Sequence, residues 1–144
     1  MKINLGFWDS SAIIPLCCQQ ASSPMLRRLV RQTSRMVAWW GATVEVHSTL
    51  NRLLREGNLS AKEKLQAITR LDHLKKTWRE VLPSEKVRER AENAAGTYNL
   101  RALDSFQLAA ALAWSNDNPR GRLFVCEDIK LAEAAEKAGF SVLP

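Results

Sequence analysis

Short apolar runs alternate with longer segments of helical periodicity along the chain, and that alternation is the strongest constraint on its fold. Residues 3–8 (Ile-Asn-Leu-Gly-Phe-Trp) read as a short buried strand, as do residues 36–40 (Met-Val-Ala-Trp-Trp), 122–126 and 140–143, with a further short one over 79–82. Between them, helices are predicted up to about residue 20, then to about 33, and over about 42–56, 61–76, 85–98, 102–114 and 128–138. Val46, Leu50, Leu53 and Leu54 recur at helical spacing, as do Leu65, Ile68, Leu71 and Leu74. The punctuation agrees. Ser10 or Ser11 is placed to cap the first helix, Gly57 to end a helix in the left-handed conformation, and Ser60 with Glu63 to form a capping box. Strands alternating with helices call for a parallel sheet covered on both faces. The expected architecture is therefore a single α/β/α domain over residues 1–144 with a mostly parallel central sheet. The helices between residues 42 and 76, with no strand between them, are expected to form an arm beside it.

One helix stands apart. Residues 101–113 read Arg-Ala-Leu-Asp-Ser-Phe-Gln-Leu-Ala-Ala-Ala-Leu-Ala, almost wholly apolar after Gln107. Alanine loses no side-chain entropy in a helix, and a helix apolar nearly all round is buried. Its first turn nevertheless carries Asp104. An acid there is favoured by the free N–H groups of the helix start, so Asp104 alone has an ordinary structural explanation.

The totals exclude several classes. No apolar run approaches the ~20 residues of a membrane span, and the segment before Asp9 is too short for a signal-peptide core, which predicts a cytoplasmic chain. Three cysteines (Cys17, Cys18 and Cys126) and two histidines (His47 and His73) offer neither a disulfide framework nor zinc-ligand spacing. Cys17 and Cys18 read as core, and His47 as structural. Phosphate-cradling glycine motifs are absent. The net charge of +6 points towards a polyanion as partner.

In open parallel sheets, sites form beyond the carboxyl ends of the strands. There the chain places Asp9 after the first strand, Glu45 just inside the helix after the second, Asp104 at the head of the alanine-rich helix, and Glu127 and Asp128 after the strand at 122–126. Each has a structural alternative: Asp9 and Asp128 as helix caps, Glu45 and Asp104 as first-turn dipole partners. Carboxylates gathered on one edge repel, and a divalent cation removes that cost. Oxygen-only ligands select Mg²⁺ or Mn²⁺ over zinc or copper.

The segment from Phe7 to Leu16 (Phe-Trp-Asp-Ser-Ser-Ala-Ile-Ile-Pro-Leu), Val44-Glu45-Val46, the segment from Leu100 to Ala111, and Phe124-Val125-Cys126-Glu127-Asp128-Ile129-Lys130-Leu131 with Ala134, Ala135 and Gly139 carry a family resemblance. In order and spacing the chain resembles the PIN-domain nucleases, and among them the VapC-type toxins of toxin–antitoxin pairs. The resemblance implies an endoribonuclease that holds Mg²⁺ or Mn²⁺ with Asp9, Glu45, Asp104 and Asp128 and hydrolyses RNA phosphodiesters with a metal-activated water. It also implies a homodimer and a small antitoxin that blocks the site. Cys126 departs from the family, which often has Ser or Thr there, and a thiol is a poorer donor than a hydroxyl. Trp39-Trp40 is unusually bulky for the end of a strand, and is either core or a surface for a base or a partner.

Ser10 is the expected supporting hydroxyl, bonding a metal-held water or the Asp104 carboxylate. Arg101 and Lys130 stand beside the expected site as RNA contacts, and Arg27 and Arg31 belong to a basic stripe with the same role or none. Three other functions stay open on the residues: a housekeeping RNA-processing nuclease of the same fold, a PIN scaffold that only binds, and an α/β signalling module in which Asp9 accepts a phosphoryl group.

Overall fold

The computed structural model describes residues 5–33 and 35–144. Among the described residues, five strands, β1 (Gly6–Trp8), β2 (Met36–Trp39), β3 (Arg79–Val81), β4 (Leu123–Val125) and β5 (Ser141–Leu143), are interspersed with seven helices. The helices are α1 (Ser10–Cys17), α2 (Ser23–Gln32), α3 (Ala42–Arg55), α4 (Ala61–Thr77), α5 (Glu85–Thr97), α6 (Ala102–Trp114) and α7 (Ile129–Ala138). Ile3 and Asn4, part of the expected first strand, lie outside the described residues. Every strand pairing is parallel, in the order β3-β2-β1-β4-β5.

Alternate residues of the three inner strands, β1, β2 and β4, enter opposite cores, as the period of two requires. Trp8, Met36, Ala38, Leu123 and Val125 meet α1 to α4 on one face, where Ile13, Leu26, Val46, Leu50 and Leu71 are buried. Phe7, Val37, Trp39 and Phe124 meet α5 to α7 on the other, with Leu108, Leu131 and Phe140. The α3–α4 pair expected as an arm is rooted in the first core and packs against α1. Strand β1 thus sends its helix to one face, while its neighbour β4 sends α7 to the other. That divergence makes the carboxyl ends of β1 and β4 the topological switch point of the sheet, the usual ligand position in such folds.

Two local details shape the elements that flank this point. Helix α1 is shorter than expected, because its last carbonyls are taken by distant groups. Ser23 Oγ donates to the Pro15 carbonyl (2.6 Å) and Arg70 to that of Cys17 (2.8 Å), while Cys18 is already extended. At the β2–α3 turn, a Cβ on Gly41 would lie 2.6 Å from Trp39 Nε1. With no side chain there, the strand passes directly into α3, and Glu45 falls in that helix's first turn.

Candidate active site

Asp9 leaves β1 with its N–H on the Val125 carbonyl (3.0 Å), which holds it against the end of β4. It caps α1 itself, so neither Ser10 nor Ser11 is the cap. Its Oδ2 accepts the Ser11 N–H (3.1 Å) and the Ser11 hydroxyl (2.5 Å). Asp128 caps α7 in the same way, its Oδ1 accepting the Leu131 N–H (2.9 Å). The cap and ligand readings of these two acids are therefore compatible: each cap uses one oxygen, and no hydrogen bond among the described residues reaches the other.

Glu45 is held from two sides. Ser10 Oγ donates to its Oε1 (2.8 Å) and Gln107 Nε2 to its Oε2 (3.0 Å). The supporting hydroxyl of Ser10 thus serves Glu45, not Asp104. Asp104, half-buried in the first turn of α6, completes the group. The alanines behind it, Ala109, Ala110 and Ala111, are fully buried, and α6 packs on α5, β2 and α7.

The four carboxylates share one electrostatic environment. Burial raises the Asp9 carboxyl above its ordinary range, against the pull of the Ser11 hydrogen bonds. Burial pushes Glu45 up to about 7, and repulsion from Asp9 and Asp104 adds to it, while Ser10 and Gln107 oppose it. Asp104 rises to about 6 through burial first, then repulsion by Asp128 and Asp9, with Lys130 and Arg101 opposing. A folded-state pKa above the unfolded value means that the folded chain binds more protons between the two. Stability contributed at low pH is thus lost as pH rises from about 4.5 through about 7. In chelator, the wild-type melting temperature relative to Glu45→Gln should fall between pH 5 and pH 8 by on the order of 5 °C. A pH-independent difference would show that Glu45 does not carry this burden.

Among the described residues, no three His, Cys, Asp or Glu side chains stand close enough to form a ready-made metal shell. The donor set suits a hard cation held through one or two carboxylates and completed by water, as Mg²⁺ prefers. It does not suit a closed all-protein cage.

The remaining expected residues divide clearly. Arg101 and Lys130 are exposed at the mouth, close enough to act on Asp104. Arg27 and Arg31 lie on the exposed face of α2, and Arg27 donates to Gln19 (3.0 Å). Glu127 turns away to the start of α2, accepting from Ser22 (2.5 Å). Cys17 and Cys18 are core. The Cys126 thiol lies 3.7 Å from Asp9 Oδ2 but 3.3 Å from the Asp128 carbonyl. Having one hydrogen to give, it supports the turn more than the acid. Trp39 is buried and stacked on Phe106 (5.6 Å between centroids, 4° between planes), whereas Trp40 is 53% exposed. Trp40, Val44, Arg88, Leu103 and Glu45 line a mainly apolar groove of about 660 Å³.

Sequence reasoning missed Ser11 and Gln107. Ser11 was hidden by its neighbour's equal claim to the cap. Gln107 had a visible signal, being the polar residue three positions after Asp104 in an otherwise apolar helix.

No family model matches the chain. It is 31% identical over 140 residues to Ribonuclease VapC46 of Mycobacterium tuberculosis, a match covering 95% of each chain. Its fold is similar to that in the structure of VapBC2 from Rickettsia felis bound to a DNA fragment from their promoter (TM-score 0.66, 11% identity, 99% of this chain and 100% of that one). FitAcB from Neisseria gonorrhoeae is also similar (TM-score 0.65, 16% identity, 99% and 97%). With that relative matched nearly end to end, and with the sheet and helices those structures share, the chain belongs to the VapC family of PIN-domain ribonucleases.

Proposed function

We propose that this chain is a Mg²⁺- or Mn²⁺-dependent endoribonuclease and the toxin of a toxin–antitoxin pair. The observation that carries this reading is the convergence of Asp9, Glu45, Asp104 and Asp128 on one sheet edge, where burial raises the carboxyls of the first three and repulsion adds to the rise of Glu45 and Asp104. The 31% identity to a VapC ribonuclease supports it. Asp9, Asp104, Glu45 and Asp128 would hold the cation together, one or two of them directly and the others through its waters. When bound, it would activate water and neutralise charge developing on the phosphate.

The chain's own groups do the rest. Ser10 orients Glu45 through Oε1. Arg101 and Lys130, exposed at the mouth, attract the RNA backbone. Arg27 and Arg31 extend that attraction along α2. Hydrolysis breaks a P–O bond of the RNA and joins a water oxygen to phosphorus. The partner carried over from the VapBC relatives is a small antitoxin that covers this edge, and the active form is a homodimer. No helix among the described residues is long and apolar enough to cross a membrane, and the proposed place of action is the cytoplasm.

The purified chain should cleave RNA with Mg²⁺ or Mn²⁺ and stop on addition of chelator. Produced without an antitoxin it should arrest growth, and Asp104→Asn should not. Chelator-resistant cleavage would refute the cation's role. Growth at the normal rate, despite cleavage in the test tube, would refute the toxin role and leave an RNA-processing nuclease.

A further inference from the structure

The Gln107 amide sits where a polar group is hardest to explain. Gln107 is fully buried, and its Oε1 has no hydrogen-bond partner. Its Nε2 donates to Glu45 Oε2 at 3.0 Å, a link between residues 62 positions apart that joins α6 to α3. Reversing the amide would set its oxygen against a carboxylate oxygen, so the donor side faces Glu45. As a device for stability this is poor, because a buried acceptor without a partner costs more than an apolar side chain of the same shape. Methionine would fill the space without the orphaned amide oxygen.

What the amide supplies is a donor without charge. A lysine would cancel part of the negative field of the acids, and a serine hydroxyl would fall short across the gap. Gln107 also lies three residues after Asp104, on the same side of α6. One helix thereby delivers a carboxylate and the group that fixes the neighbouring carboxylate.

We propose that Gln107 is a positioning residue. With Ser10 it holds both oxygens of Glu45, so that this carboxylate meets the site's cation in a single orientation. The proposal rests on the reading of Glu45 as part of the cation site. Gln107 itself touches neither cation nor RNA.

The test is Mn²⁺ binding by calorimetry to the full chain, stripped with chelator and free of RNA. Gln107→Met should weaken binding about tenfold or more, the usual effect of losing a group that orients a ligand, with a melting temperature equal to or above wild type. RNA cleavage should lose kcat while KM changes little. Gln107→His, which keeps a ring N–H donor, should recover part of the affinity. Should Gln107→Met fail to fold, Gln107→Asn decides by the same measure, because it keeps the amide but ends one methylene short. Mn²⁺ affinity within twofold of wild type in the folded variant, with Glu45→Gln clearly weakened, would overturn the role of Gln107 alone. Unchanged affinity in Glu45→Gln would overturn both the proposal and the reading beneath it.

Discussion

Asp9→Asn is expected to lower cation-dependent RNA cleavage by about 10³-fold or more, while the chain keeps its fold. The two halves of that expectation come from different atoms. As the cap of α1, Asp9 needs only a side-chain oxygen for the Ser11 N–H and hydroxyl. Asparagine provides one and is as good a cap as aspartate. As a proposed cation ligand it needs a charge, which asparagine lacks. Because burial already works against the Asp9 anion, removing the charge should leave melting in chelator unchanged or raise it. Asp9→Ala separates the roles further. It should lose cleavage equally and about 1 kcal/mol of stability as well, the usual cost of a lost cap. Cleavage and thermal denaturation of the three proteins check both. Undiminished cleavage by a folded Asp9→Asn chain would remove the residue from the site.

Ala111→Leu is expected to damage the site from behind. Ala111 lies seven residues after Asp104 and four after Gln107, on the same stripe of α6, and is fully buried. Leucine is nearly as good a helix former as alanine, so the helix itself should survive. The added volume has nowhere to go in a close-packed interior. Overpacking of this kind costs about 1–3 kcal/mol, a drop of about 2–10 °C in a chain of this size. The shift of α6 should carry Asp104 and the Gln107 amide out of register, and displacement of about 1 Å at a reacting centre can cost about 10²-fold in rate. The same substitution at exposed Ala102 is the control and should leave both stability and cleavage near wild type. Equal behaviour of the two variants would mean that the alanines are not what lets α6 approach its neighbours.

The order of elements was legible because its signals are local. Gly57 and the Ser60–Glu63 box mark helix ends with groups a few residues apart, and each end lies where they indicate. The early stop of α1 was not legible, because Ser23 and Arg70 finish it from other helices. Asp9, Glu45 and Asp128 could be singled out because each follows a strand end, whereas Asp104, which follows a helix, was singled out mainly by the family resemblance. Their partners could not. Whether Ser10 turns to Asp104 or Glu45 depends on how α1 and α3 pack, which periodicity leaves open. Gln107 was visible as an oddity, but its meaning required the position of Glu45 across the fold.

The crowding of acids at the sheet edge has a consequence for the history of such a chain. At Asp9, Glu45 and Asp104, where burial opposes the charged form, a neutral side chain of the same shape is expected to leave the chelator-stripped protein as stable or more so. Isosteric substitution there, Asp to Asn or Glu to Gln, would then be rewarded in folding yield even as it ended the proposed catalysis. A scaffold of this kind drifts towards silence unless use opposes the drift. That Asp9, Glu45 and Asp104 nonetheless stand together as acids is what the proposed cation chemistry would require.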